Sequence, residues 1–430
     1  MPKYISEDGF EESRISFSTE VTKEFGELEL FAISMGMRQA RKSLGWELGL
    51  GGSIVSSPSI RGSAIYFGCC DKNFYAVSLE GKVIWKTATD APITTDAATG
   101  EDVIFFTAGK ELNAIAPDGR LLWRFVAPSE LYSPAYHNGV IYVGGFDGNF
   151  YAIHAGDGEK MWRFVARGSI QSKPTIHEER IYFGSRDNHV YALSLGGELV
   201  WKFAAKNDVY LEPAVLGNLI CFGSFDHNVY AIDYHSARLA WKFCTNEAVG
   251  TSIVTDGKNF YFGSNNGNLY ALSRDGIELW HFKTAGMLWR TPTIAEDVIY
   301  FGSWDKSLYA IKTDGTFLWK FPTSEPITTK PTVFNQIVYF GSMDCHLYAV
   351  NALTGGLLWS FPASLSYPSS FQDYEKESIA TTAQTTWAPV TKKEKYKKDE
   401  ADIAGYGEFS GHYIDVTKSD YLGRRKKGYM

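Results

Sequence analysis

Nine tryptophans at a nearly constant spacing constrain the fold more than any other feature of this 430-residue chain. Successive members are 38 to 40 residues apart and therefore bound eight units of almost equal length. A glycine stands four residues before the closing tryptophan in seven of the eight units, and Ala237 is the exception. Self-similarity with a period of this size indicates a repeat architecture. The series is Trp46, Trp85, Trp123, Trp162, Trp201, Trp241, Trp280, Trp319 and Trp359.

Each unit contains four short runs of β-branched and aromatic residues separated by turn-forming residues. In one unit, an apolar run over 181–184 is followed by a polar turn, a second run over 190–193 and a third that ends at Trp201. A fourth run follows a proline, as after Pro174. Such runs are strand signals. Eight sets of four predict an all-β, eight-bladed β-propeller with four-stranded antiparallel blades, in which the tryptophans pack between neighbouring blades.

The repeat assigns residues 46–363 to the propeller and leaves a non-repeating extension at each end. Trp46 would either complete the last blade from the N-terminal side or add an extra edge strand. Residues 1–45 form the N-terminal extension, and apolar residues at helical spacing predict one short amphipathic helix near 20–42.

Residues 364–430 differ sharply in composition from the repeat. They hold eleven Lys and Arg against ten Asp and Glu, and their low apolar content predicts no independent core. Because aromatic residues recur along the segment, we expect an extended interaction tail that binds along a partner; wrapping around its own propeller is the alternative. The predicted anchors are Trp387, Tyr406, Phe409, Tyr413 and Tyr421.

Composition excludes several classes of partner. The formal net charge is −7, and without a basic stripe we expect no nucleic-acid binding. No stretch of 18 apolar residues predicts a membrane span, and the polar start of the chain predicts a cytoplasmic location. The five cysteines have no CxxC spacing, so neither a disulfide framework nor a zinc site is expected.

Three motifs recur in the units: a Gly-Ser-x-Asp turn, a Tyr-Ala pair after it, and Gly-x-x-x-Trp. The turn occurs at 184–187, 223–226, 302–305 and 341–344. In these motifs the chain, over roughly residues 46–361, resembles the pyrroloquinoline-quinone (PQQ) type propeller repeat of quinoprotein alcohol dehydrogenases and of the outer-membrane assembly lipoprotein of the BamB kind. The resemblance implies the propeller fold, whereas fold and activity are decoupled in such scaffolds.

The quinoprotein chemistry is not expected to carry over. In that family PQQ and a calcium or lanthanide ion occupy the central channel, an Asp acts as base, and a vicinal disulfide packs on the cofactor. Here the vicinal pair Cys69 and Cys70 falls in the Ser-x slot of the first turn, a different register, and the long insertions of the family are missing. We expect Cys69 to replace serine, and we expect no catalytic residue, cofactor or metal.

The aspartates of the turns could be mistaken for a carboxylate ring. One per blade places them far apart, so each is expected to accept hydrogen bonds from its own turn and not to share a metal. The histidines of these turns are expected to be solvated. The residues concerned are Asp71, Asp147, Asp187, Asp226, Asp305 and Asp344, and His189, His227 and His346.

Two sets of loops are expected to share one face: the turns that hold these aspartates, and the connections that lead into each inner strand. They carry aromatic and arginine side chains, which are enriched at the hot spots of protein interfaces. We therefore predict a partner-binding rim formed by Tyr132, Phe146, Lys173, Arg186, Tyr210, Phe225, Trp289, Arg290, Trp304 and Met343.

Taken together, the sequence favours a non-catalytic cytoplasmic scaffold that mediates protein–protein interaction within a larger complex. Other protein subunits would bind the rim and the tail. Two alternatives stay open: a PQQ-dependent oxidoreductase-like protein, and a propeller that senses a small ligand at the mouth of its channel.

Overall fold

The computed structural model of the protein describes residues 52–363. Within this range 32 strands form eight four-stranded antiparallel sheets, each built from four consecutive strands. The predicted eight-bladed propeller is confirmed. No helix in this part of the chain is long and apolar enough to cross a membrane. Trp46, the helix predicted near 20–42 and the five tail anchors all lie outside the described residues.

The first four blades begin at Ser59 and end at Ala204. Blade 1 comprises β1 (Ser59–Arg61), β2 (Ala64–Gly68), β3 (Asn73–Ser78) and β4 (Val83–Ala88); blade 2, β5 (Ala98–Thr99), β6 (Ile104–Ala108), β7 (Glu111–Ile115) and β8 (Leu121–Val126); blade 3, β9 (Ala135–His137), β10 (Val140–Gly144), β11 (Asn149–His154) and β12 (Lys160–Val165); and blade 4, β13 (Thr175–His177), β14 (Arg180–Ser185), β15 (His189–Ser194) and β16 (Leu199–Ala204).

The last four blades repeat the same order and end at Pro362. Blade 5 comprises β17 (Ala214–Leu216), β18 (Leu219–Gly223), β19 (Asn228–Asp233) and β20 (Arg238–Cys244); blade 6, β21 (Val254–Thr255), β22 (Asn259–Gly263), β23 (Asn268–Ser273) and β24 (Glu278–Lys283); blade 7, β25 (Thr293–Ala295), β26 (Val298–Ser303), β27 (Ser307–Lys312) and β28 (Phe317–Pro322); and blade 8, β29 (Thr332–Phe334), β30 (Ile337–Gly341), β31 (His346–Asn351) and β32 (Leu357–Pro362).

Burial differs between the strands of a blade in the way that the sequence pattern requires. The second and third strands are buried almost throughout, because neighbouring blades cover both of their faces. The first strands of neighbouring blades lie beside one another, so they form the inner wall of the ring. The fourth strand alternates between exposed and partly buried residues and forms the outer edge.

A β-bulge is repeated in every outer strand. In blade 4, Ala192 pairs with Trp201 and Leu193 with Leu199, so Val200 is the extra residue. The register shifts at the same alanine in all eight blades. The alanine of the Tyr-Ala pair thus lies across the strands from the tryptophan, where a small side chain leaves room for the indole.

Each of the regularly spaced tryptophans in blades 1 to 8 joins its own blade to the next one through a hydrogen bond. The indole Nε1 donates to a backbone carbonyl 32 or 33 residues further along the chain, and in blade 8 Trp359 donates to Leu79 of blade 1. The donor–carbonyl pairs are Trp85–Pro117, Trp123–Ala155, Trp162–Leu195, Trp201–Tyr234, Trp241–Arg274, Trp280–Thr313, Trp319–Ala352 and Trp359–Leu79, with distances from 2.8 to 3.1 Å.

The ring closes between blades 8 and 1 without a shared strand. Blade 8 takes all four strands from residues 332–362, so it is complete without Trp46. One apolar cluster contains Ile54 and Phe67 together with Leu347, and the amide of Ile54 donates to the carbonyl of Ser342 at 3.1 Å. The closing seam therefore uses the same interactions as the seams between consecutive blades.

The glycine of Gly-x-x-x-Trp lies against the tryptophan of the preceding blade. A Cβ on Gly197 would come within 2.7 Å of Cδ2 of Trp162, and the φ of Gly197 is +87°. The other glycine–tryptophan contacts of this kind are Gly81–Trp359, Gly119–Trp85, Gly158–Trp123, Gly276–Trp241, Gly315–Trp280 and Gly355–Trp319. This contact explains why the motif keeps glycine at that position.

Replacing Gly197 with alanine should destabilise the propeller more than its backbone angle alone accounts for. Gly257 has the same φ of +87°, but a Cβ added there would meet no atom within 4 Å, so Gly257→Ala is the matched control. We expect about 1–2 kcal/mol of lost unfolding free energy for Gly257→Ala and about 2 kcal/mol more for Gly197→Ala, because Trp162 must move. Urea unfolding measures both, and equal losses would contradict the packing role.

Candidate binding face

The two predicted loop sets lie on one face of the propeller. The amide of Arg186, in a turn between second and third strands, donates to Ser169 in the connection from blade 3 to blade 4 at 2.9 Å. The amide of Trp304 donates in the same way to Met287 at 3.0 Å. We call the surface formed by these turns and connections the loop face.

The turn aspartates bind their own turns, as predicted. Asp187 accepts hydrogen bonds from the amide of His189 at 3.2 Å, the hydroxyl of Tyr191 at 2.6 Å and the amide of Arg167 at 3.0 Å. Asp187 therefore ties its turn to the third strand and to the preceding connection, and Asp226, Asp305 and Asp344 accept an equivalent amide bond from their connections. The same Asp–Tyr bond joins Asp71–Tyr75, Asp226–Tyr230, Asp305–Tyr309 and Asp344–Tyr348.

The turn histidines differ from the expectation that all are solvated. His189 and His346 are partly buried, and Nδ1 of each lies within 2.9 Å of the carbonyl oxygen of its turn aspartate. His227 is exposed. In residues 52–363, no three His, Cys, Asp or Glu side chains are grouped closely enough to hold a metal ion.

Asp187 should make stability depend on pH. Burial acts to raise its pKa, but hydrogen bonds from His189, Tyr191 and the Arg167 amide outweigh it and lower the pKa to about 2. Because the folded pKa lies below the unfolded one, the carboxylate contributes stability above about pH 4, and this contribution is lost as the pH falls towards 2.

Asp187→Asn should therefore cost about 2 kcal/mol near pH 7, since the carboxylate is only 8% exposed. The difference from the wild type should shrink between pH 4 and pH 2. Asp102→Asn is the control, because that carboxylate is 95% exposed and its pair with Arg61 should contribute little. A pH-independent cost of Asp187→Asn in urea unfolding would rule out the charge as its cause.

Cys69 occupies the serine position of its turn. Its thiol lies 3.7 Å from the carbonyl of Ser53, where Ser185 in blade 4 donates to Gly168 at 3.1 Å. Both members of the vicinal pair are buried, and burial raises the pKa of Cys70 to about 12. None of the five cysteines, all of which fall in the described range, forms a disulfide. The pair thus has the structural role expected from its register.

The structure divides the ten predicted rim residues into two groups. Phe146, Arg186, Phe225, Trp304 and Met343 lie on the turns, and the other five lie on the connections. Arg186 is exposed and pairs with Asp208 at 2.8 Å, while the remaining nine are partly buried.

Three of the rim aromatics meet on the loop face. The ring of Tyr210 lies 4.6 Å from that of Phe225, and Trp289 lies 6.1 Å from both. These residues come from the connection between blades 4 and 5, the turn of blade 5 and the connection between blades 6 and 7. They form the aromatic cluster of the loop face.

Two of the charged rim residues, Lys173 and Arg290, are partly buried and interact with residues of other connections. Arg290 contacts the hydroxyl of Tyr132 and the carbonyl of Thr94, on connections far away along the ring. Glu212 beside Lys173 raises the pKa of that amine, although burial opposes the shift. Both side chains still retain some accessible surface.

Sequence reasoning missed Asp96, which interacts electrostatically with both Arg290 and Lys173. The signal was present in the repeat. Asp96 lies three residues after Ile93, a buried aliphatic residue of its connection, and charged residues stand at the same place in three other connections. The four positions are Asp96, Lys173, Glu212 and Lys330.

A second missed feature lies on the outer edge. The residue just before each tryptophan is the bulged one, and the bulge turns it outward together with its neighbour. We call these side chains the outer apolar strip; on the adjacent blades 8, 1 and 2 it has two exposed members each. Its exposed members are Ile84, Leu122, Met161, Val200, Leu279, Leu318 and Leu358, with Val83, Leu121, Leu199 and Leu357 beside them on blades 1, 2, 4 and 8.

Comparisons with known proteins agree with this architecture. A search of curated proteins finds no match. Among solved structures, BamB from Moraxella catarrhalis is similar with a TM-score of 0.62 and 16% identity, over 68% of this chain and 95% of that one. The computationally designed Ika8 protein is similar with a TM-score of 0.64 and 14% identity, over 70% of this chain and 97% of that one. At these identities the likeness shows the fold.

The BamB match confirms, at the level of the fold, the resemblance to BamB-like propellers that the Gly-Ser-x-Asp and Gly-x-x-x-Trp motifs indicated. One family model, described as "Beta-alanine-activating enzyme, beta-propeller", matches residues 116–338, which is more than half of the chain. The protein therefore belongs to the β-propeller family that carries this description.

Proposed function

We propose that this protein is a non-catalytic cytoplasmic scaffold that binds other protein subunits within a larger complex. The observation that carries the proposal is the outer apolar strip, where the propeller exposes aliphatic side chains on strands whose outer edge pairs with no further strand in the described part of the chain. Exposed apolar patches and free strand edges are features of protein interaction sites. In the cytoplasm the five cysteines would remain thiols.

Blades 8, 1 and 2 supply the main contact area, because three adjacent blades there each expose two apolar residues of the strip. Leu358 and Ile84 are 50% and 51% exposed, and the Trp359–Leu79 bond holds their two blades together. A partner that covers the strip there would bury aliphatic area from adjacent blades at once. The turn residues of the loop face and the predicted anchors in 364–430 are proposed as further contacts of the same assembly.

The test uses the tagged full-length chain purified from the cells that naturally produce it, beside an Ile84→Lys, Leu358→Lys double variant. We expect partner chains at near-equal stoichiometry with the wild type, and a loss of about tenfold or more with the double variant, because two charges would be desolvated in an apolar contact. Quantitative mass spectrometry of the co-purifying chains gives the readout.

Ala240→Lys is the matched control, since Ala240 holds the same bulged, exposed position on blade 5, where the strip is interrupted. It should retain the partners. A chain cut after Ala363 and a Trp304→Ala variant test the tail and the turns separately. A wild-type protein that elutes alone as a monomer would contradict the scaffold, and partners that all these variants retain would contradict the strip, the tail and the turns as its contacts.

A further inference from the structure

Arg290 crosses the centre of the ring. It lies on the connection between blades 6 and 7, and its Nη1 is 3.5 Å from the hydroxyl of Tyr132 on the connection between blades 2 and 3. Its Nη2 donates to the carbonyl of Thr94, between blades 1 and 2, at 3.4 Å. The seams 6/7 and 2/3 are four blades apart in a ring of eight and so face each other. The guanidinium therefore lies near the axis of the propeller.

The fold does not require an arginine at this position. In the equivalent place of other connections, Ser56 and Thr329 accept a hydrogen bond from a second-strand glycine amide, at 3.1 and 3.0 Å. Thr251 does the same at 2.7 Å. Arg290 departs from this local pattern, and its long side chain leaves the connection to reach the opposite side of the ring. A departure of this kind in a regular repeat points to a role other than folding.

The guanidinium is incompletely satisfied. Its Nε is buried and has no hydrogen-bond partner among residues 52–363. The two bonds that its other nitrogens make, at 3.4 and 3.5 Å, are long and go to uncharged oxygens. A buried charge is costly unless it is paired, and a planar guanidinium pairs best with a carboxylate or phosphate.

Tyr210 presents a second unsatisfied group beside it. The hydroxyl of Tyr210 is buried without a hydrogen-bond partner in the described chain, and Tyr210 and Arg290 interact electrostatically. Burial raises the pKa of Tyr210 well above its usual value, so the hydroxyl is a neutral donor. The aromatic cluster with Phe225 and Trp289 shields this region from water, which strengthens interactions with a charge.

The surrounding charges leave room for one more anion. Lys173 interacts with both Glu212 and Asp96, and Asp96 also interacts with Arg290. Asp96 is also held by the amide of Ser57, which donates to its Oδ1 at 2.7 Å. At the loop position that Asp96 and its equivalents occupy, Lys173 and Lys330 stand with Asp96 and Glu212, so that with Arg290 there are three cations and two carboxylates.

We propose that Arg290 and Tyr210 form a binding site for a small anion that carries a carboxylate or phosphate group, at the centre of the loop face. The oxyanion would accept hydrogen bonds from the Nε side of the guanidinium and from the Tyr210 hydroxyl. This site is separate from the outer apolar strip, so it can be occupied whether or not a protein partner is bound there.

Isothermal titration calorimetry on the full-length chain, with acetate and with inorganic phosphate at constant ionic strength in chloride, tests the site. We expect saturable binding of at least one of them. Binding of phosphate alone would identify a phosphate-bearing ligand, and binding of acetate alone a carboxylate. Arg290→Met should lower the affinity about tenfold or more, and Tyr210→Phe by a smaller factor.

If Arg290 instead stabilised the fold, Arg290→Met would lower the unfolding temperature in chloride buffer. If the arginine serves an anion, Arg290→Met in chloride buffer should unfold at the same temperature as the wild type or higher, because it removes an incompletely paired buried charge. Arg120→Met, in the exposed turn before β8 and away from the loop face, is the control and should keep the affinity. Arg290→Lys, which loses the planar fork, is the second variant if Arg290→Met does not fold. Failure of both anions to bind the wild type, or wild-type affinity in the Arg290 variant that folds, would overturn the proposal.

Discussion

The hydrogen bond from each outer-strand indole to a carbonyl of the next blade is the interaction on which the rest of the structure depends. It combines a large, at least partly buried ring with one directed bond, so it fixes both the separation and the register of adjacent blades. The glycine beneath the ring and the alanine opposite it are consequences of making room for the indole. Because Trp359 makes the same bond to blade 1, the ring closes without a shared strand.

A ring held in this way leaves two surfaces free to differ between blades. The bulge beside each tryptophan turns an aliphatic side chain outward, and this side chain is not needed to hold the blades together. On the loop face, each connection has a buried aliphatic residue. The residues after it differ between connections: one has Ser56 at the position where another has Arg290. We therefore expect functional residues to differ between blades on these two surfaces. The proposed partner contacts lie on the outer apolar strip, and the proposed anion site lies on the loop face.

The fold could be predicted from the sequence because its signals are local and repeated eight times: the tryptophan spacing, the strand pattern and the turn aspartates. The binding face was only partly accessible. That the turns and connections share a face followed from propeller geometry, but the meeting of Arg290 with Tyr132 depends on which connections face each other across the ring. The exposure of Leu358 and its equivalents depends on a β-bulge, and no residue type in the sequence predicts where this bulge forms.

The hydrogen bond from Trp359 to Leu79, which joins blades 8 and 1, is tested most directly by comparing the unfolding free energies of Trp359→Phe and Trp162→Phe in urea. Phenylalanine keeps an aromatic ring but cannot donate the bond to Leu79 or Leu195. If one interaction joins all the seams, both variants should lose about 1–3 kcal/mol, and by the same amount. A Trp359→Phe variant as stable as the wild type, beside a destabilised Trp162→Phe, would show that the ring closes by other means.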